Sequence, residues 1–104
     1  MLLCPLTDIA DGASKGFDAL GIFVVRQGLT LHGYRDACPH YGDTKLAWRR
    51  DEYLDADDSH IVCAGHGALF DIASGACVQG ACLGQSLTAV PLRIVDGQVW
   101  MEAA

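Results

Sequence analysis

The fold this sequence predicts is all-β, a small antiparallel sandwich, and three observations carry that expectation. Short runs rich in Val, Ile, Leu and aromatic residues recur along the chain. Turn-forming residues separate them, and glycine alone accounts for 12 of the 104 residues. Two neighbouring pairs of runs are joined by hairpin signals. A chain of this length supports one hydrophobic core, so residues 1–104 are expected to form one domain. With 51% hydrophobic and 19% charged residues, the composition is that of a globular chain.

In order, Leu2 to Ile9 has strand composition and runs into the turn-prone Asp11-Gly12-Ala13-Ser14-Lys15-Gly16. Ile22-Phe23-Val24-Val25 and Leu29-Thr30-Leu31-His32-Gly33-Tyr34 flank Arg26-Gln27-Gly28 and predict a hairpin. Its second strand leads to Cys38-Pro39-His40. Residues 41–60 differ in character: Tyr41 to Trp48 suits a short helical turn, and 49–58 is polar, with Asp51, Glu52, Asp55, Asp57 and Asp58 close together. This stretch reads as a surface insertion. Ile61-Val62 and Ala68-Leu69-Phe70-Asp71-Ile72 are strands on either side of Cys63-Ala64-Gly65-His66-Gly67, and Ser74-Gly75 makes the next turn. Leu87 to Met101 closes the chain as a hairpin about Asp96-Gly97, a preferred two-residue turn.

Seven basic against 13 acidic residues give a net charge of −6, which argues against nucleic acid or an anionic membrane as partner. No run approaches the roughly 18 apolar residues of a membrane-spanning helix. Met1-Leu2-Leu3-Cys4-Pro5 lacks the basic and apolar regions of a secretion signal, so a cytoplasmic location is expected. Five cysteines are an odd number; with Cys38 and Cys63 set apart, Cys4, Cys77 and Cys82 are expected as thiols in a reducing compartment.

The chemistry concentrates in two mixed pairs. Cys38 and His40 are spaced C-x-H, Cys63 and His66 are spaced C-x2-H, and 22 residues separate His40 from Cys63. Two thiolates and two imidazoles suit a 2Fe-2S cluster with Cys on one iron and His on the other. They also suit a structural Cys2His2 zinc site. Zinc fingers usually place the Cys pair before the His pair, whereas here each pair is mixed with Cys first. That order suits a cluster whose two irons each take one ligand from each loop. Neutral imidazoles remove negative charge, placing such centres at roughly −150 to +300 mV against about −400 mV for plant-type all-Cys ferredoxins. Gly65 and Gly67 would let backbone N–H groups approach the sulfides.

From about Ile22 onward the chain resembles the Rieske 2Fe-2S family. Members carry C-P-W-H-G or similar, a G-x-x-F-D strand, a Gly turn and a Gly-Pro loop before a final hairpin. The matching stretches are Cys63-Ala64-Gly65-His66-Gly67-Ala68-Leu69-Phe70-Asp71, Ser74-Gly75, Gly80-Ala81-Cys82-Leu83, and Val90 to Val99. The resemblance implies a Rieske-type sandwich in which two loops, about 38–43 and 63–68, form a small cluster-binding subdomain on a larger antiparallel base. It implies that Cys38 and Cys63 bind one iron and His40 and His66 the other. It further implies one-electron transfer from a flavin or iron-sulfur reductase to an acceptor such as an oxygenase, with no catalysis by the chain itself. A small subunit of a reductase, like those of nitrite reductases, is the alternative within this fold. An oxygenase catalytic subunit would need a second domain for its mononuclear iron.

The departures are informative. Respiratory members add a disulfide between the loops, but Asp43 and Gly65 stand at those positions. They also place a Ser hydroxyl near the sulfurs, where this chain has Ala68, so a potential in the lower part of the family range is expected. That resembles the soluble ferredoxins of aromatic-ring dioxygenases. The longer stretch between ligand pairs, Trp48, the acidic run, Cys82 and the missing Pro resemble a separate bacterial branch. Cys77 and Cys82 are expected over the cluster as two small buried side chains. His32 and His60 are read as edge or surface residues, the acidic run 51–58 as a solvated loop, and Trp48 and Tyr41 as packing the insertion onto the core.

Overall fold

The computed structural model describes residues 1–39, 46–47, 51–64, 67–80 and 82–102. Among the described residues ten strands follow one another: β1 Leu2–Pro5, β2 Ser14–Phe17, β3 Ile22–Gln27, β4 Thr30–Arg35, β5 His60–Val62, β6 Leu69–Asp71, β7 Cys77–Gln79, β8 Ala89–Val90, β9 Leu92–Val95 and β10 Gln98–Met101. They form three sheets, ordered β1-β10-β9, β2-β3-β4-β8 and β5-β6-β7. Every pairing between these strands is antiparallel.

The sheet β2-β3-β4-β8 is the middle layer, and β3 shows why. Ile22, Phe23, Val24 and Val25 are all buried, so this strand is covered on both faces, as a continuous apolar run requires. Alternate residues point to opposite faces of a strand. Val24 therefore packs with Cys4, Leu6, Ile9 and Val99 towards the terminal sheet. Phe23 and Val25 enter a second core with Tyr34, Cys38, Leu46, Tyr53, Ile61, Cys63 and Phe70. Full burial of a side chain such as Phe23 contributes about 1.5–3 kcal/mol. The small β5-β6-β7 sheet thus rests on the middle sheet, with both expected sulfur ligands inside the shared core.

Both predicted hairpins form. Gln27 pairs with Thr30 across a two-residue turn, and Gln98 pairs with Val95. Asp96 and Gly97 take φ of 51° and 72°, the left-handed pair that a type I′ turn needs. Three expectations change. β1 ends at Pro5, which has no N–H to continue the ladder; Leu6–Asp8 then winds as a single 3-10 turn. The Asp11–Gly16 stretch, read as a turn, contributes Ser14–Phe17 as an edge strand paired with β3. Weak strand formers are held there by pairing with a strong neighbour. Finally, the insertion is only partly a surface feature. Leu46 and Tyr53 are 0% and 3% exposed and belong to the core. Leu54 bridges to Ile61, and Val62 N–H donates to the Tyr53 carbonyl at 2.9 Å, so residues 53–55 pair back onto β5.

Candidate metal centre

β4 carries the chain out of the middle sheet towards Cys38. Arg35 N–H still donates to Thr88 O and Asp36 N–H to Gly21 O, at 2.9 and 2.8 Å. Beyond this point the Asp36 side chain takes over. Its carboxylate accepts from Leu46 N–H at 2.9 Å and from the Tyr53 hydroxyl at 2.8 Å. Asp36 is 7% exposed, so both donors supply what water otherwise would. Burial, and then the Asp36 hydrogen bond, push the Tyr53 hydroxyl far above its ordinary pKa, so it remains a donor. The Tyr53 ring stacks on Phe23 with centroids 4.2 Å apart and planes 4° from parallel. Two residues after this anchor, Cys38 is fully buried.

The second loop lies at the tip of the β5–β6 hairpin. Cys63 N–H donates to Ala68 O at 2.9 Å, and Gly67 N–H donates to Cys63 O at 2.8 Å, which closes the loop at its base. Ala64 N–H donates to Leu46 O at 2.7 Å. Leu46 therefore joins the two loops, giving its N–H to the Asp36 side and its carbonyl to the Cys63 side. Cys63 and Ala68 are both 0% exposed.

Of the four expected ligands, the structure places the two sulfurs in one buried cluster. His40 and His66 lie outside the described residues, as do Tyr41, Asp43, Trp48 and Gly65. None of the five cysteines is in a disulfide. Cys4 belongs to the other core, where burial and then Asp8 raise its thiol pKa. The thiol of Cys77 donates to Gln79 O at 3.4 Å. The Cys82 sulfur lies 3.8 Å from that of Cys38. His32 meets Gln27 at 3.2 Å and His60 meets Asp55 at 3.6 Å.

The acidic run has a structural side as well. Asp51 accepts Gly16 N–H at 2.7 Å, and its carbonyl accepts the Ser14 hydroxyl at 2.7 Å, fastening the insertion to β2. Asp55 accepts the N–H of Ser59 and of His60 at 3.0 and 3.3 Å, shaping the turn before β5. Sequence reasoning missed Asp36, Tyr53 and the approach of Cys82 to Cys38. An aromatic-aliphatic pair, Tyr53-Leu54, inside a polar run was the available signal for the second of these.

Antiparallel sheets that bring two fully buried cysteines, Cys38 beyond β4 and Cys63 beyond β5, into one shared core define the class of β domain. The chain matches the Rieske 2Fe-2S domain over residues 1–94 and belongs to that family. No curated protein matches it. Among solved structures, the ferredoxin of carbazole 1,9a-dioxygenase from Nocardioides aromaticivorans IC177 is 21% identical with a TM-score of 0.77, covering 97% of this chain and 94% of that one. A ferredoxin from Sphingomonas yanoikuyae B1 is 24% identical with a TM-score of 0.75, covering 100% and 98%. The reduced complex between oxygenase and ferredoxin in carbazole 1,9a-dioxygenase gives 23% identity and a TM-score of 0.80, covering 97% of this chain and 27% of that one.

The cofactor of this family is a Rieske 2Fe-2S cluster, which when bound accepts and releases one electron. The described residues fit it: Cys38 and Cys63 are fully buried thiols from two loops that Leu46 ties together. Replacing Tyr53 by Phe keeps the ring and removes one donor to Asp36. The expected loss of stability is about 1–3 kcal/mol, read from urea unfolding of the cluster-loaded protein. An unchanged midpoint would mean that Asp36 does not depend on this hydroxyl.

Proposed function

We propose that Cys38 and Cys63 hold one iron and His40 and His66 the other, and that the chain works as a mobile one-electron carrier. A reductase supplies the electron and an oxygenase receives it. The observation that carries this reading is the pair of fully buried cysteines, Cys38 beyond β4 and Cys63 beyond β5, that share one core in the fold of this family. The imidazoles complete the donor set by sequence spacing, and a His ligand leaves one ring nitrogen for hydrogen bonding at the protein edge.

A carrier role is supported by length. The chain spans nearly the whole of two ferredoxins, one from a carbazole dioxygenase system, with no large part of either left unmatched. Solved complexes join a similar ferredoxin to its oxygenase. Among the described residues no helix is long and apolar enough to cross a membrane. Five cysteines outside any disulfide suit a cytoplasmic setting, which belongs to the same proposal. The chain's part in the reaction is to bury the sulfurs, exclude water from them and present the His side to a partner.

Replacing His66 by Cys tests the ligand set. A cluster that persists is expected to lose the Rieske electron paramagnetic resonance spectrum and to fall in potential, because an imidazole is exchanged for an anionic thiolate. An unchanged spectrum would remove His66 from the ligands. The carrier role is tested in extract of the source cells. The protein is expected to elute alone on gel filtration, and its reduced cluster to be reoxidised by the oxygenase fraction when aromatic substrate and oxygen are added. Stable co-elution with a reductase would instead make it a reductase subunit.

A further inference from the structure

We propose that Cys82 donates its S–H to the Cys38 sulfur in the cluster-loaded protein and so raises the cluster's reduction potential. This rests on the reading of Cys38 as a ligand. The two sulfurs are 3.8 Å apart, within reach of a sulfur hydrogen bond, and both residues are 0% exposed. Without metal, either thiol is able to donate to the other. Iron binds the thiolate, so a ligated Cys38 sulfur has no proton and is the acceptor. Cys82 is then the donor.

The placement of Cys82 is built into the fold. Leu83 N–H donates to Gly80 O at 3.3 Å, and Gln85 N–H donates to Cys82 O at 2.8 Å, so the loop after β7 is folded on itself. Gly80 has φ 104°, and a Cβ there would come within 2.9 Å of Ala68 Cα. A glycine at this position lets the Cys82 loop lie directly against the second metal loop. Ala68, at the contact, offers no side-chain donor, whereas Cys82 brings one to the opposite loop's sulfur.

Reduction adds an electron whose charge is shared with the sulfurs. A donor to a ligand sulfur stabilises the reduced state more than the oxidised one, raising the potential. Because both sulfurs are shielded from water, little solvent competes with this bond. Cys82 is thus a positioning residue for charge, acting through Cys38.

Potentiometric titration of wild type, Cys82→Ala and Cys82→Ser, each with iron counted and the resonance spectrum recorded, tests this. Cys82→Ala is expected to keep two irons and the Rieske signal. Its potential should fall by about 59 mV, equivalent to about a tenfold change in a one-electron equilibrium. Cys82→Ser, which retains a donor, should recover most of the loss. Equal potentials in wild type and a loaded Cys82→Ala protein would overturn the donor alone. A wild type without a Rieske signal would overturn the ligand reading, and the donor with it. If neither variant takes up the cluster, resonance Raman of the wild type in H2O and D2O decides. The iron–Cys38 stretching band should shift on exchange, and an unshifted band would overturn the proposal.

Discussion

Asp36 lies two residues before Cys38 in a nearly dry position, and a carboxylate cannot remain there without donors. Its partners are drawn from distant parts of the chain. Leu46 supplies a backbone N–H and Tyr53 a hydroxyl, while Asp36's own N–H reaches Gly21 at the start of β3. One buried group therefore ties the segment just before Cys38 to Leu46 and Tyr53 of the insertion. Leu46 continues the connection to Ala64 and so to the second loop. Removing one donor would leave the buried carboxylate short of a hydrogen bond, at a cost of about 1–3 kcal/mol.

The remainder of the domain supports that node from below. β3 faces two cores, so the sheet that leads to Cys38 is fixed on both sides. Phe23 extends from this strand to the Tyr53 ring, and an aromatic pair of this kind adds about 0.5–1.5 kcal/mol beyond its buried area. The loop after β5 is closed by backbone hydrogen bonds from Cys63 to Ala68 and from Gly67 to Cys63. A one-electron carrier benefits from such a frame, because less rearrangement is needed when the charge of the cluster changes.

Much of this was legible in the residues. Hairpins are local, so those expected over 22–34 and 87–101 were legible through apolar runs and turn chemistry. The mixed Cys/His pairs gave an expected ligand set through their spacing; the structure brings Cys38 and Cys63 into one core, and His40 and His66 lie outside the described residues. What escaped was tertiary. Ser14–Phe17 is a strand only because β3 lies beside it. Asp36 resembles any turn residue until its donors, 10 and 17 positions away, are brought to it. Asp51 and Asp55 looked like solvated charge, yet both accept backbone N–H groups that shape the insertion. The 44-residue separation of Cys38 and Cys82 hides their contact completely in the sequence.

The central claim is that two Cys and two His hold a Rieske cluster in this domain. Electron paramagnetic resonance of the dithionite-reduced protein, with iron and zinc counted in the same sample, tests it most directly. Two irons per chain and a rhombic signal of low average g are the predicted result. One zinc per chain and no signal would contradict the account, leaving Cys38, His40, Cys63 and His66 as a structural site without electron transfer.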